Sequence, residues 1–170
     1  EDEILSRTVA NRHRHITTPG PSFALPWLIQ AVAQDQGQFI VADFGRTVSG
    51  YLTLELADST PGQALELSYD DLLDENGAVN PERSYAHLSD RFLLPGGGCR
   101  IQTAHPRGFR YVMIDVDSRG TAALTRVSVQ EETYPFDLQP AFAATDDQLG
   151  AFYAKAAETV RICTTDAFMD

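Results

Sequence analysis

The sequence predicts a mainly β protein, an antiparallel β-sandwich followed by one C-terminal α-helix, and three observations carry that expectation. From Gln38 to Tyr134 apolar residues recur in short segments at strand spacing, divided by turn residues. Almost no helical pattern lies between those segments, whereas parallel pairing would need crossover connections, usually helical. Beyond Pro135 the period changes to that of an amphipathic helix.

Taken in order, residues 1–36 read as an irregular lead-in, with "TTPGPS" (Thr17 to Ser22) stringing loop signals together ahead of the apolar stretch Ala24 to Gly37. Ile29 to Ala33 fits a helical turn or an edge strand equally well. The strand segments are Gln38 to Phe44, Gly50 to Ala57, Ala64 to Asp71, Asp90 to Pro95, Cys99 to Ala104, Phe109 to Val116 and Ala122 to Tyr134. In the second, Leu52, Leu54 and Leu56 share one face and Thr53 and Glu55 the other, the alternation of a half-buried strand. Leu65 and Leu67 point inward by the same logic. The sixth has two apolar faces, Tyr111 and Met113 against Val112, Ile114 and Val116, which marks a central strand. Connections "DSTPGQ", "DENG", "PGGG" and "DSRG" supply Gly or Asn where turns need positive φ.

A helix is expected from Thr145 as N-cap, with Gln148 at the capping-box position and Asp146 and Asp147 in the first turn. Leu149, Phe152, Tyr153, Ala156 and Val160 form its apolar stripe, which must dock on the sandwich or on helices outside this sequence. Leu149, Phe152, Tyr153 and Val160 are therefore expected to pack only partly. The domain reading is 1–36 lead-in, 37–134 sandwich, and 135–170 linker and first helix of a second unit.

At 170 residues and 43% hydrophobic content the chain can bury one sizeable core, and no apolar run approaches the roughly 20 residues of a membrane helix. The net charge of −11 opposes binding to nucleic acid or anionic lipid, so neither is an expected partner. Arg12 to His15 is a short basic run read as solvated surface. Cys99 and Cys163 are read as buried free thiols, since they fall in different elements with no metal-knuckle spacing. The chain opens on Glu1 without Met, so its N-terminus is read as other than a natural start.

Few groups in the sequence suggest chemistry. The acidic loop Tyr69 to Gly77 offers Asp70, Asp71, Asp74 and Asn76 as Ca²⁺-type oxygens, but its spacing is not that of an EF-hand and a solvated hairpin turn is the simpler reading. His87 and His105 have no apparent Asp or Ser partner for a triad. Trp27, Tyr51, Tyr69, Tyr85 and Tyr111 could stack on sugar, although aromatics in strands more often pack in cores. Asp166 and Asp170 follow the helix, and their spacing alone defines no site. No metal or cofactor is expected.

Read in order, "DFGRTVSGYLTLEL" (Asp43 to Leu56), "GQALELSYDDLLDENG" (Gly62 to Gly77), "SDRFLLPGG" (Ser89 to Gly97), "PRGFRYVMIDV" (Pro106 to Val116) and "VRICTTDAFMD" (Val160 to Asp170) resemble bacterial α-L-rhamnosidases over about residues 38–170. The resemblance implies a jelly-roll, concanavalin-like sandwich ahead of a six-hairpin α/α barrel. In it Gly45 and Gly50 would flank a bend, and Gly108 would turn the backbone into the central strand. It also implies an inverting glycosidase acting on an L-rhamnose-containing glycoside, with two carboxyl groups spaced to admit water. Asp170 matches the first residue of the family motif Asp-Cys/Gly-Pro-x-Arg-Glu/Asp and would bind the sugar. The general acid would fall a few positions further on and the base on a later hairpin, so the chain is expected to be an inactive fragment whose partner is the rest of its catalytic domain. On the residues alone, a non-catalytic carbohydrate-binding or interaction sandwich stays open.

Overall fold

The computed structural model describes residues 13–16, 27–29, 38–83, 88–117, 120–135, 142 and 145–164. The strands are β1 (His13–Ile16), β2 (Trp27–Ile29), β3 (Gln38–Ser59), β4 (Ala64–Asp70), β5 (Ser89–Leu93), β6 (Cys99–Gln102), β7 (Arg107–Val116) and β8 (Ala122–Glu131), and the helix is α1 (Asp147–Ile162). They make an antiparallel sandwich with one exception, the parallel pair β1 and β3.

The two layers share β3. Its first part, Gln38 to Asp43, pairs with β7, which pairs in turn with β4 and then β5. The register breaks between Asp43 and Val48, and from Gly50 to Ser59 the strand pairs with β8, with β6 on its other side. Edge strand β2 extends the second layer through β8. The two segments read from the sequence as separate strands are thus one strand with a bulge.

Leu65, Leu67, Val112, Ile114 and Val116 of one layer and Leu52, Leu54, Leu56, Leu124 and Val127 of the other form a single buried cluster. Strand β7 is central, as its two apolar faces predict: Met113 turns away and joins Phe39, Val41, Ala78 and Val79 in a second cluster under the loop after β4. That loop closes as a hairpin turn. Asp74 Oδ1 accepts from the amides of Asn76 and Ala78, and Leu73 bridges to Val79.

Several expectations are corrected. Segments β1 and β2 lie inside the stretch read as irregular; each is fixed by pairing with a strand remote in sequence. The N-cap of α1 is Asp146 and not Thr145: its backbone is extended (φ −98°, ψ 118°) and its side chain accepts from the Gln148 amide. Cys163 is exposed and Cys99 half-buried, since Cys163 ends a helix with no buried residue.

Two glycines of the resemblance behave differently. An added Cβ on Gly50 would collide with the Gln130 carbonyl oxygen, so the approach of β8 to β3 requires glycine there. Gly108 instead lies within the ladder opposite Ser49 with open space beside it, so it makes no sharp turn. Gly50→Ala is expected to lower stability by about 1–3 kcal/mol, and Gly108→Ala to stay within about 0.5 kcal/mol. Urea unfolding of the two variants checks the contrast.

Candidate functional site at the sandwich–helix junction

The register break in β3 is built by charge. Arg110 Nε and Nη2 donate to the two carboxylate oxygens of Asp43 at 2.9 and 3.0 Å, and the Gly45 amide donates to Oδ1 at 2.7 Å. Gly45 takes φ 77°, a left-handed conformation that favours glycine. Burial acts to raise the Asp43 pKa, but the Arg110 hydrogen bonds, the Gly45 amide and the Arg110 charge outweigh it and hold the group below its ordinary value. The Arg110 guanidinium also lies over the Tyr111 ring, 4.8 Å from its centroid.

This bulge carries Arg46 to the end of β8, where it meets Glu131 at 2.5 Å. Helix α1 brings Glu158 and Arg161 to the same place. Arg161 forks onto Glu158 at 2.7 and 2.8 Å and reaches Glu131 at 3.8 Å, while Arg46 reaches Glu158 at 3.7 Å. Backbone bonds complete the junction: Glu132 N–H donates to Ser49 C=O and Tyr134 N–H to Thr164 C=O. Thr164 is buried and its hydroxyl donates to the Val160 carbonyl.

A second fork joins β5 and β7. Arg107 donates to Asp90 at 2.7 and 3.2 Å and lies 5.9 Å from the centroid of the Tyr69 ring. Burial first, then the Asp90 carboxylate, pushes the Tyr69 phenol far above its ordinary pKa. The charged residues in the blocks of family resemblance thus pair across strands, Asp43 with Arg110 and Asp90 with Arg107. Sequence spacing carries no sign of either pair.

The remaining candidates are dispersed. Asp70 pairs with Arg83 at 3.0 Å and Asp71 accepts from Thr47, so the acidic loop is tied into the fold. Among the described residues no group of three or more His, Cys, Asp or Glu is placed to hold a metal ion. His105 is exposed. Trp27 and Tyr69 are in the main core and Tyr111 packs on the second cluster, so these three form no platform. Asp166, Asp170, Tyr85 and His87 lie outside the described residues.

Helix α1 presents Leu149, Phe152, Tyr153 and Val160 to solvent, with Phe152 71% exposed, and Tyr153 stacks on Phe142 at 4.7 Å. Fold and junction together define a concanavalin-like sandwich that passes its chain, through an ionic contact, to a helix with an open apolar face. The family model described as the bacterial alpha-L-rhamnosidase concanavalin-like domain matches residues 33–132, and the chain belongs to that family. Among solved structures it is similar to a GH78 family rhamnosidase of Bacillus sp. GL1, with TM-score 0.71 and 25% identity over 85% of this chain and 15% of that one. It also resembles a rhamnosidase from Klebsiella oxytoca with rhamnose bound, with TM-score 0.61 and 20% identity over 84% of this chain and 29% of that one. An α-L-rhamnosidase from Dictyoglumus thermophilum superposes with TM-score 0.54 and 16% identity over 86% of this chain and 18% of that one. No curated protein sequence matches. The chain therefore spans less than a third of the length of each of these solved relatives.

Two outcomes are expected. Because the Asp43 pKa is lowered from 3.8, its contribution to stability is fully present above about pH 4 and fades as pH falls through the depressed value. Asp43→Asn should cost about 2 kcal/mol at pH 7, and the difference from the parent should shrink on acidification in urea unfolding followed by circular dichroism. The open apolar face should drive concentration-dependent association. Sedimentation velocity should show it for the parent chain and show less for Leu149→Lys/Phe152→Lys.

Proposed function

We propose that the chain is the supporting sandwich and leading helix of an α-L-rhamnosidase that removes terminal α-L-rhamnose from a glycoside with inversion. One observation carries the reading: the family match over residues 33–132, seconded by the Bacillus sp. GL1 rhamnosidase superposing on 85% of the chain. The rhamnose bound to the Klebsiella oxytoca enzyme supports the choice of sugar. On this reading residues 37–134 form the sandwich, 135–170 open the α/α barrel, and Asp170 holds the sugar.

Inverting hydrolysis needs a protonated carboxyl to deliver a proton to the leaving oxygen and a carboxylate about 6.5–9.5 Å away to activate water. A general acid needs a raised pKa. Asp43 is shifted the opposite way, and both Asp43 and Asp90 are occupied by bidentate arginines. That supports assigning acid and base to residues outside this chain, in the remaining length that the relatives possess.

A protein joining this chain to the barrel should hydrolyse an aryl α-L-rhamnoside and release β-L-rhamnose first, as followed by proton NMR, while these 170 residues alone should not. Release of the α-anomer would remove the inverting mechanism. Turnover by the 170 residues would remove the assignment of acid and base elsewhere. Saturable L-rhamnose binding with no turnover by the longer protein would replace the reading with a carbohydrate-binding module.

A further inference from the structure

The four charged groups at the junction form a closed ring. Arg46 and Glu131 come from the sandwich, Glu158 and Arg161 from α1, and each arginine faces both carboxylates. Within the sandwich and within the helix the pair is a direct hydrogen bond, at 2.5 Å for Arg46 with Glu131 and 2.7 Å for Arg161 with Glu158. Between elements the contacts are longer, 3.7 Å for Arg46 with Glu158 and 3.8 Å for Arg161 with Glu131. No residue of α1 is buried. Packing therefore contributes little to holding the helix against the sandwich.

We infer that this ring is an electrostatic latch fixing the orientation of α1 on the sandwich, with Arg46, Glu131, Glu158 and Arg161 acting as positioning residues. Single exposed ion pairs are worth little, but a closed alternating set shares the cost of ordering its side chains. Signs decide the outcome: every neighbour around the ring is opposite in charge, so no rotation of α1 brings like charges together without breaking both cross contacts. The latch leaves Leu149 and Phe152 open, because it uses only the last turns of the helix. Its role in aiming the chain beyond Thr164 toward Asp170 rests on the rhamnosidase reading; the latch itself does not.

The test uses the ring's own symmetry. Arg46→Glu/Glu131→Arg keeps the sandwich pair but makes both cross contacts repulsive, and adding Glu158→Arg/Arg161→Glu restores all four attractions. Nitrogen-15 relaxation in dilute samples reads whether α1 tumbles with β3 and β8. In the parent chain the R2/R1 ratio of α1 should equal that of the sandwich; it should be lost in the double variant and recovered in the quadruple one. A ratio unchanged in the double variant overturns the latch, as does loss in both variants, since complementarity would not then be what holds the helix. Should the variants fail to fold, the parent decides: in 1 M NaCl the Debye length is about 3 Å, so the shared ratio should be lost, and its persistence overturns the proposal. These readouts involve no sugar, so absence of rhamnosidase activity leaves them standing and their failure leaves that activity untouched.

Discussion

A strand of 22 residues cannot run straight through a domain of this size. At about 3.3 Å per residue it would extend roughly 70 Å, whereas a compact chain of this length is about 40 Å across. Strand β3 therefore has to bend, and the Asp43 carboxylate fixes where. Its three hydrogen bonds, two from Arg110 and one from the Gly45 amide, tie the end of one ladder to the strand that carries it and hold the turn that starts the next. Both layers take their register from β3, so the relative placement of Leu52, Leu54 and Leu56 against Val112, Ile114 and Val116 follows from that corner. Gly50 completes it by letting β8 approach more closely than any side chain would permit.

The same corner serves the junction. A bulge lengthens one strand against its neighbour and re-aims the side chains within it. Here the residue it re-aims is Arg46, which would otherwise lie in the ladder with β7. Packing α1 onto the sandwich through its apolar stripe would bury area worth about 25 cal/mol per Å², more than ion pairs at half-exposed side chains supply. It would also consume the stripe. The polar contact is weaker, but it specifies direction and leaves Phe152 and Leu149 for another surface.

Much of the sandwich was legible because burial writes a period into sequence. Alternation in Gly50 to Ala57 showed the inward leucines, and the two apolar faces of β7 showed its central position between β3 and β4. What stayed hidden depends on partners distant along the chain. "DFGRT" reads as a turn between two strands, and only the Arg110 fork, 67 residues away, makes it a bulge within one. Strand β1 is fixed by a parallel partner, which leaves no local pattern. Thr145 and Asp146 are both capping residues by type, and the Asp146 side chain is the one that accepts from the Gln148 amide. At the junction, Arg46 and Glu131 stand 85 residues apart and each resembles any solvated charge. The substrate-contacting residue inferred from family resemblance, Asp170, lies outside the described residues, so its placement rests on the sequence alone.

The bond from the Tyr134 amide to the Thr164 carbonyl adds a constraint that neither packing nor charge imposes. The chain leaves the sandwich after β8, runs through α1 and comes back beside its own point of departure. Since Thr164 is buried there, the C-terminal end of the helix stays with the sandwich, and its N-terminal end has the leverage. The ion ring sits at that pinned end, on Glu158 and Arg161. Small changes in the ring's geometry are thus amplified along about 24 Å of a 16-residue helix, at 1.5 Å per residue. A contact of modest energy can in this way decide where the apolar face of α1 points.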